Sequence, residues 1–279
     1  MMSKYLIPIP AAGGRYPVTV GMVRPVLNRI KSLDPDSEIH YSGVSSGSAC
    51  ALMFLCASIA NLDIEVLHDE FIELIKTRVS SDPANAGYYQ KNDKFFEAME
   101  ALAKKYITDI NQINGKLHIG YCKLSRANGL EFAVVSEYKD IYDLTNAIRA
   151  SCHYSLVLRN SMYFEYRGDM CVDGIFMYDQ FLVPGYKNVV LNCNVLNKVN
   201  MNEILLNPCK EKYQRLYKIG DEHQKDKEVE FIEPSEHPAV TSEKIISMWN
   251  WASKLAYAWS AIATGYTALL VMLKCTGSV

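Results

Sequence analysis

The chain has 279 residues, of which 49% are hydrophobic and 22% are charged. Enough apolar residues are present to build a full core, which excludes a disordered, collagenous or coiled-coil chain. The formal net charge is −2. A surface so close to neutral lacks the field that attracts DNA or RNA, so we expect no nucleic-acid partner.

The cysteines and the N-terminus indicate a reduced, intracellular protein. None of the eight cysteines forms a Cys-x-x-Cys pair, so the sequence predicts no structural metal site. Most of them lie in apolar runs, where a free thiol packs as a small hydrophobic group. The apolar stretch after Lys4 is too short for a secretion signal, and we therefore expect that the protein is not secreted.

The hydropathy pattern alternates strands with helices, which predicts an α/β layered fold. Predicted strands lie at residues 5–9, 38–42, 116–124, 130–137 and 188–193, with a short strand end at 170–172. Predicted helices lie at 18–30, 49–60, most of 64–107 with a loop at 80–88, and 144–152. The strands at 116–124 and 130–137 flank a Ser-Arg-Ala-Asn-Gly turn and are predicted to form a hairpin.

A Gly-x-Ser-x-Gly motif spans residues 43–47, with Gly43, Ser45 and Gly47 at its defined positions. It follows a predicted strand and precedes a strongly apolar predicted helix. In that setting the serine lies on a sharp turn above the sheet, and the helix N-terminus favours negative charge beside it. The context favours a nucleophilic Ser45; the alternative is an ordinary Gly/Ser-rich turn.

A second glycine-rich turn, AAGGR at residues 11–15, joins the first strand to the first helix. Its small residues leave backbone N–H groups accessible to an anion or a tetrahedral oxyanion. A simple tight turn is the alternative. The Gly-x-Gly-x-x-Gly and phosphate-loop patterns are absent, so the sequence predicts no nucleotide cofactor.

A serine hydroxyl needs a neighbouring base to become a nucleophile. In a Ser-His-Asp hydrolase the histidine comes late in the chain, where His223 and His237 are the candidates, although both lie in a charged segment. Asp173-Gly174 is favoured instead, because it follows an apolar strand end, where ligands bind in open α/β sheets. An ordinary Asp-Gly turn is the alternative.

Together, these segments resemble the patatin-like phospholipases. That family combines a Gly-Gly-Gly-x-Arg/Lys oxyanion loop, a Gly-x-Ser-x-Gly motif and a late Asp-Gly-Gly/Ala, in the order found here. The similarity covers residues 4–195 and includes Gly21 in the first helix and Ala150-Ser151-Cys152 upstream of the aspartate. This chain has alanine at positions 11 and 12, where the family has glycine, and Ile175 in place of a small residue.

The resemblance implies a three-layer α/β/α sandwich with a mostly parallel sheet. It also implies hydrolysis of carboxylic ester bonds in lipids, through an acyl-enzyme, by a Ser45–Asp173 dyad. The remaining roles that it implies are an oxyanion hole at Ala12, Gly13 and Gly14, and support or substrate contacts from Arg15, Gly43, Gly47 and Gly174. No cofactor or metal is implied, and the expected partners are a lipid ester and a membrane surface. Arg15 has two readings: a site for an anionic head group, or a structural role.

We predict three segments: an α/β hydrolase domain at residues 1–220, a charged loop at 221–241 and an apolar helix at 242–279. Residues 255–273 contain no charged side chain, which permits a membrane span, burial against the core or a position at a lipid surface. The expected location is therefore cytoplasmic or membrane-associated. Besides the lipid hydrolase, two hypotheses stay open: a Ser-His-Asp esterase, and a catalytically degenerate module that binds lipid or a partner.

Overall fold

The computed structural model describes residues 3–79, 88–125, 129–154, 161–178, 180–199 and 210–232. The chain divides into two compact units, Met1–His237 and Pro238–Val279, and the second unit lies entirely outside the described residues. The predicted C-terminal helix at 242–279, with its uncharged stretch at 255–273, is therefore not described. Of the predicted loop at 80–88, residues 80–87 also lie outside the described residues, and residue 88 begins a helix. Within the described part of the chain, no helix combines the length and the apolar character that a membrane span needs.

The described residues of the first unit form eight strands and six α-helices. The strands are β1 Lys4–Ile9, β2 Glu38–Val44, β3 Leu117–Ser125, β4 Gly129–Val135, β5 Phe164–Tyr166, β6 Asp169–Asp173, β7 Lys187–Val189 and β8 Phe231–Ile232. The helices are α1 Tyr16–Leu33, α2 Ser46–Ala60, α3 Ile64–Val79, α4 Tyr88–Tyr106, α5 Ile141–Ser151 and α6 Lys210–Gln224. Short 3-10 turns lie at Gly13–Arg15, Ile110–Gln112, Gly174–Phe176 and Cys193–Lys198.

The fold is an α/β sandwich in which helices flank one mixed sheet, so the predicted three-layer class is confirmed. The strand order is β5-β6-β3-β2-β1-β7-β8, and β4 pairs with β3. The prediction that this sheet is mostly parallel was wrong. Among the described strands, the pairs β1–β2, β1–β7 and β2–β3 are parallel, whereas β3–β4, β3–β6, β5–β6 and β7–β8 are antiparallel. A tight turn between consecutive strands reverses the chain, while parallel pairing needs a longer crossover.

Helix α2 is the most deeply covered part of its layer between Ser46 and Ala57, where all twelve residues are buried. It packs on β2 and contacts α1, α3, α4 and α5. An apolar run without an amphipathic pattern is typical of a helix that is covered on all sides. The sequence reads SGSACALMFLCASIA, and this burial explains why it carries no charged residue. The helix therefore holds the residue that precedes it, Ser45, rigidly above the sheet.

Helices α1 and α6 cross at a reciprocal pair of glycines. A Cβ atom on Gly21 would lie 2.0 Å from the carbonyl oxygen of Tyr217, and one on Gly220 would lie 2.0 Å from that of Val18. Only glycine permits such close approach of two backbones. The extent of α6 also corrects the predicted domain boundary at 220. Residues 221–224 were expected to begin a charged loop, but they form the last turn of this helix.

Candidate active site

Two strand ends meet on β3. Val44, the last residue of β2, pairs with Gly120 of β3, and the next β3 residue, Tyr121, pairs with Asp173, the last residue of β6. Because β2 runs parallel to β3 and β6 runs antiparallel to it, the two strands approach this point from opposite directions. A Cβ atom on Gly174 would lie 2.8 Å from a side-chain carbon of Val44, which shows how closely they meet. This register brings together Ser45, which follows β2, and Asp173, which ends β6.

Ser45 has a backbone conformation that favours glycine, with φ 55° and ψ −133°. Such a conformation costs about 1–3 kcal/mol in a non-glycine residue and persists only where the surroundings enforce it. The motif glycines permit that packing. A Cβ atom on Gly43 would lie 2.4 Å from the carbonyl oxygen of Gly47, and one on Gly47 would lie 2.4 Å from that of Ile9. The serine therefore lies on a sharp turn between strand and helix, as the motif predicts.

The side chains of Ser45 and Asp173 are hydrogen-bonded. The Ser45 hydroxyl donates to Oδ2 of Asp173 at 2.8 Å, and the N–H of Ile175 donates to Oδ1 of the same carboxylate at 2.9 Å. Asp173 is 1% exposed and Ser45 is 9% exposed. Both carboxylate oxygens are thus oriented by donors, one of which is the candidate nucleophile.

Burial raises the pKa of Asp173 from 3.8 to about 7, although the hydrogen bonds from Ile175 and Ser45 lower it in part. Removing a carboxylate from water disfavours its charged form, and the two donors only partly replace the lost solvation. A pKa near neutrality suits a group that must accept and return a proton in each turnover.

The AAGGR turn lies against the Gly-x-Ser-x-Gly motif. Its only residue with positive φ is Gly13, at 55°, whereas Ala12 has φ −132°. Alanine at positions 11 and 12 therefore imposes no backbone strain on the turn. The N–H of Ala12 donates to the Ser46 hydroxyl at 3.0 Å, so this predicted oxyanion donor is already used.

The N–H groups of Gly13 and Gly14 remain as candidate oxyanion donors. Within the described residues, neither N–H group donates a hydrogen bond. The backbone hydrogen bonds of the turn are donated by Arg15 to the Ala12 carbonyl oxygen and by Tyr16 to the Gly13 carbonyl oxygen. Gly13 is exposed and Gly14 is buried, and neither residue has a side chain that could block an oxyanion.

Arg15 links the turn to a distant part of the fold. Its guanidinium donates to the carbonyl oxygens of Ala12 at 3.1 Å and Leu196 at 2.6 Å. Of the two readings of Arg15, these contacts favour the structural one, because the side chain closes the turn onto the Cys193–Lys198 segment.

An apolar cluster adjoins the dyad and is separate from the main core. Its buried members are Ala11, Val44 and Phe181, and half-buried Phe132, Ile175 and Val183 pack against them. Each of the three candidate segments supplies one residue: Ala11 begins the AAGGR turn, Val44 precedes Ser45 and Ile175 follows Asp173-Gly174. The three segments that would carry the chemistry therefore also form an apolar wall.

The histidine candidates lie elsewhere or are not described. His223 lies on α6, where its ring nitrogen is 3.1 Å from the Asn192 carbonyl oxygen. His237 is outside the described residues. In the part of the chain that the structure describes, no three His, Cys, Asp or Glu side chains are grouped to hold a metal ion.

Two hydroxyl groups at the site were not predicted from the sequence. Ser46 binds the N–H of Ala12, and Ser151 accepts the N–H of Ser45 at 2.8 Å. Ser151 lies in the segment that resembles the patatin-like family, which was the only signal for it. A serine at the end of a helix otherwise looks like any polar helix terminus.

Comparisons with known proteins leave the family open. No family model matches the chain, and no curated protein matches it. The patatin-like resemblance therefore stays a prediction.

Proposed function

We propose that the protein is an acyl hydrolase that cleaves carboxylic ester bonds of lipids through an acyl–Ser45 intermediate. One observation carries the proposal: the hydroxyl of Ser45, held on a strained turn at φ 55°, donates to the buried Asp173 carboxylate at 2.8 Å. A hydroxyl paired with a base at this distance is the arrangement that nucleophilic catalysis requires.

In the first half of the reaction, Asp173 accepts the Ser45 proton while Oγ attacks the ester carbonyl carbon. The tetrahedral oxyanion accepts hydrogen bonds from the N–H groups of Gly13 and Gly14. The protonated Asp173 then returns its proton to the leaving alcohol, and the acyl group stays on Ser45. In the second half, Asp173 takes a proton from the water that attacks the acyl carbonyl carbon. It returns this proton to the Ser45 oxygen as the acyl–Oγ bond breaks and the fatty acid leaves. Each removed oxyanion donor costs about 3–4 kcal/mol in the barrier.

A lipid is the favoured substrate class because of the apolar wall beside the dyad. Half-buried Phe132, Ile175 and Val183 pack on the buried cluster of Ala11, Val44 and Phe181. In the proposed complex, the acyl chain lies against these half-buried side chains and loses its contact with water there. The motif order that resembles patatin-like phospholipases supports the same class. The mechanism uses only side chains, backbone N–H groups and water, and a lipid surface is the expected partner.

The proposal is tested by labelling the full chain with a fluorophosphonate probe and locating the modified residue by mass spectrometry. We expect the label on Ser45, and a loss of at least about 10³-fold in hydrolysis of a p-nitrophenyl ester and a phospholipid for Ser45→Ala and Asp173→Asn. Two matched controls should keep their activity. Ser42→Ala removes another buried hydroxyl from β2, and Asp169→Asn neutralises the carboxylate at the other end of β6.

Several outcomes would refute the proposal. Labelling of the Ser45→Ala variant at the wild-type rate would show that another residue is the nucleophile. A folded wild type that neither reacts with the probe nor hydrolyses an ester would leave the non-catalytic lipid-binding alternative. Loss of activity in His223→Ala or His237→Ala, with the fold intact, would favour the Ser-His-Asp esterase.

A further inference from the structure

The end of α5 contacts the backbone of both dyad residues. The hydroxyl of Ser151, the last residue of this helix, accepts the N–H of Ser45 at 2.8 Å. Two residues further on, the carbonyl oxygen of His153 accepts the N–H of Asp173 at 2.9 Å. A single short segment therefore holds the main chain of the candidate nucleophile and that of its base.

Ser151 also binds the strand on which the two dyad segments meet. Its hydroxyl donates to the carbonyl oxygen of Gly120 at 2.6 Å. Gly120 is the β3 residue that pairs with Val44, and a Cβ atom on Gly174 would lie 2.8 Å from this same carbonyl oxygen. The hydroxyl thus connects the Ser45 N–H to the peptide group that lies between the ends of β2 and β6.

The hydrogen bond from the Ser45 N–H to Ser151 stabilises the unusual backbone conformation of Ser45. The residue leaves the sheet directly after the last β2–β3 pair, with φ 55° and ψ −133°. Its N–H is buried and needs an acceptor, because an unpaired buried donor is costly. A conformation that few residues adopt is kept only by such surrounding contacts. Ser151 is fully buried, so water does not compete for its hydroxyl.

We propose that Ser151 is a positioning residue for the Ser45–Asp173 dyad. The inference rests on the proposed function and deepens it. Without the Ser151 hydroxyl, the Ser45 backbone relaxes from its strained conformation, and Oγ leaves its place between Asp173 and the substrate carbonyl. The chemical step then slows, whereas substrate binding, which depends on the apolar wall, changes little.

The matched control lies on the same helix. Thr145 is buried, and its hydroxyl donates to the carbonyl oxygen of Tyr142 at 3.0 Å, within α5. Ser151→Ala and Thr145→Val each remove one buried, hydrogen-bonded hydroxyl from α5, but only the first removes an acceptor from Ser45. We expect kcat to fall about 10- to 100-fold in Ser151→Ala with KM within about twofold of wild type, and neither to change in Thr145→Val. Ser151→Thr keeps the hydroxyl and should restore most of kcat.

Amide hydrogen exchange supplies a readout that does not depend on catalysis. The Ser45 amide should exchange faster in Ser151→Ala than in wild type and Thr145→Val, because it has lost its acceptor. If Ser151→Ala does not fold, Ser151→Cys gives the same comparison, since a thiol is a weak acceptor.

The outcomes separate this inference from the proposed function. An active wild type together with a Ser151→Ala variant that matches Thr145→Val in kcat and in Ser45 exchange overturns the positioning role alone. A folded wild type with no probe labelling and no ester hydrolysis overturns the proposed function and this inference with it. A fall in kcat with faster Ser45 exchange, reversed in Ser151→Thr, supports the positioning role.

Discussion

Replacing Asp173 with Asn should change how the stability of the protein depends on pH. Burial raises the pKa of Asp173 from 3.8 to about 7 in the folded protein. The folded state therefore holds this proton more tightly than the unfolded chain does. Below about pH 4 Asp173 is protonated in both states and does not lower the free energy of unfolding. Its burial lowers that free energy increasingly as the pH rises to about 7, and above this pH the loss stays constant. At 1.36 kcal/mol per pKa unit, the full cost is about 4 kcal/mol.

Asparagine has the shape of the carboxylate but does not titrate. Its Oδ1 accepts the N–H of Ile175, and its amide group donates to the Ser45 hydroxyl, so both contacts of Asp173 have a counterpart. The free energy of unfolding of Asp173→Asn, relative to wild type, should therefore rise by about 2–3 kcal/mol between pH 5 and pH 8. The activity should be lost over the same range, because an amide cannot act as the base.

The assay is urea unfolding of both proteins at pH 5 and pH 8, followed by circular dichroism. Asp169→Asn is the control, because Asp169 lies on the same strand but is half-exposed and paired with Lys123. The change that this substitution causes in the free energy of unfolding should differ by less than about 1 kcal/mol between pH 5 and pH 8. If the stability of Asp173→Asn relative to wild type is the same at both pH values, the inference that the site holds a buried carboxylate with a raised pKa is refuted.

Three further predictions concern the wild-type rate, a matched pair of glycine substitutions and one substitution in the apolar wall. The kcat/KM of the wild type should rise about tenfold per pH unit below pH 7 and level off above it, because only ionised Asp173 accepts the proton; a flat profile from pH 5 to 8 contradicts this role. Gly21→Ala should lower the free energy of unfolding by about 3 kcal/mol in urea titrations, because its Cβ would lie 2.0 Å from the Tyr217 oxygen. Gly129→Ala, where nothing lies within 4 Å, should cost only about 1 kcal/mol for its positive φ. Ile175→Ala should raise the rate on long-chain relative to short-chain p-nitrophenyl esters, since it removes bulk from the apolar wall; an unchanged ratio would mean that this wall does not contact the acyl chain.

Local patterns in the sequence determine most of the individual elements. The strand at 5–9, the helix at 49–60 and the hairpin strands at 116–124 and 130–137 all appear within a few residues of their predicted bounds. The Gly-x-Ser-x-Gly turn is local as well, because a strand, two glycines and an apolar helix between residues 38 and 60 specify it. The strand predicted at 188–193 is shorter, Lys187–Val189, since the chain enters a 3-10 turn at Cys193.

Only the tertiary structure decided how these elements meet. The direction of β6 depends on the short β5–β6 turn and on pairing with β3, and neither is visible in the hydropathy of 170–172. Asp173 lies 128 positions from Ser45, and register on a third strand is what joins them. Helix α6 is so polar that its segment resembles a solvated loop, yet Gly220 allows it to pack on α1.

The same division holds for the chemistry of the site. The sequence identifies Ser45 and Asp173 as candidates, but a serine or aspartate side chain that is exposed to water has ordinary chemical properties. The raised pKa of Asp173, the strained backbone of Ser45 and the contact of Ser151 with its N–H all arise from burial and long-range contacts. The sequence determines the residue types, whereas the solvation and backbone strain of each residue depend on which neighbours the fold brings within a few ångströms.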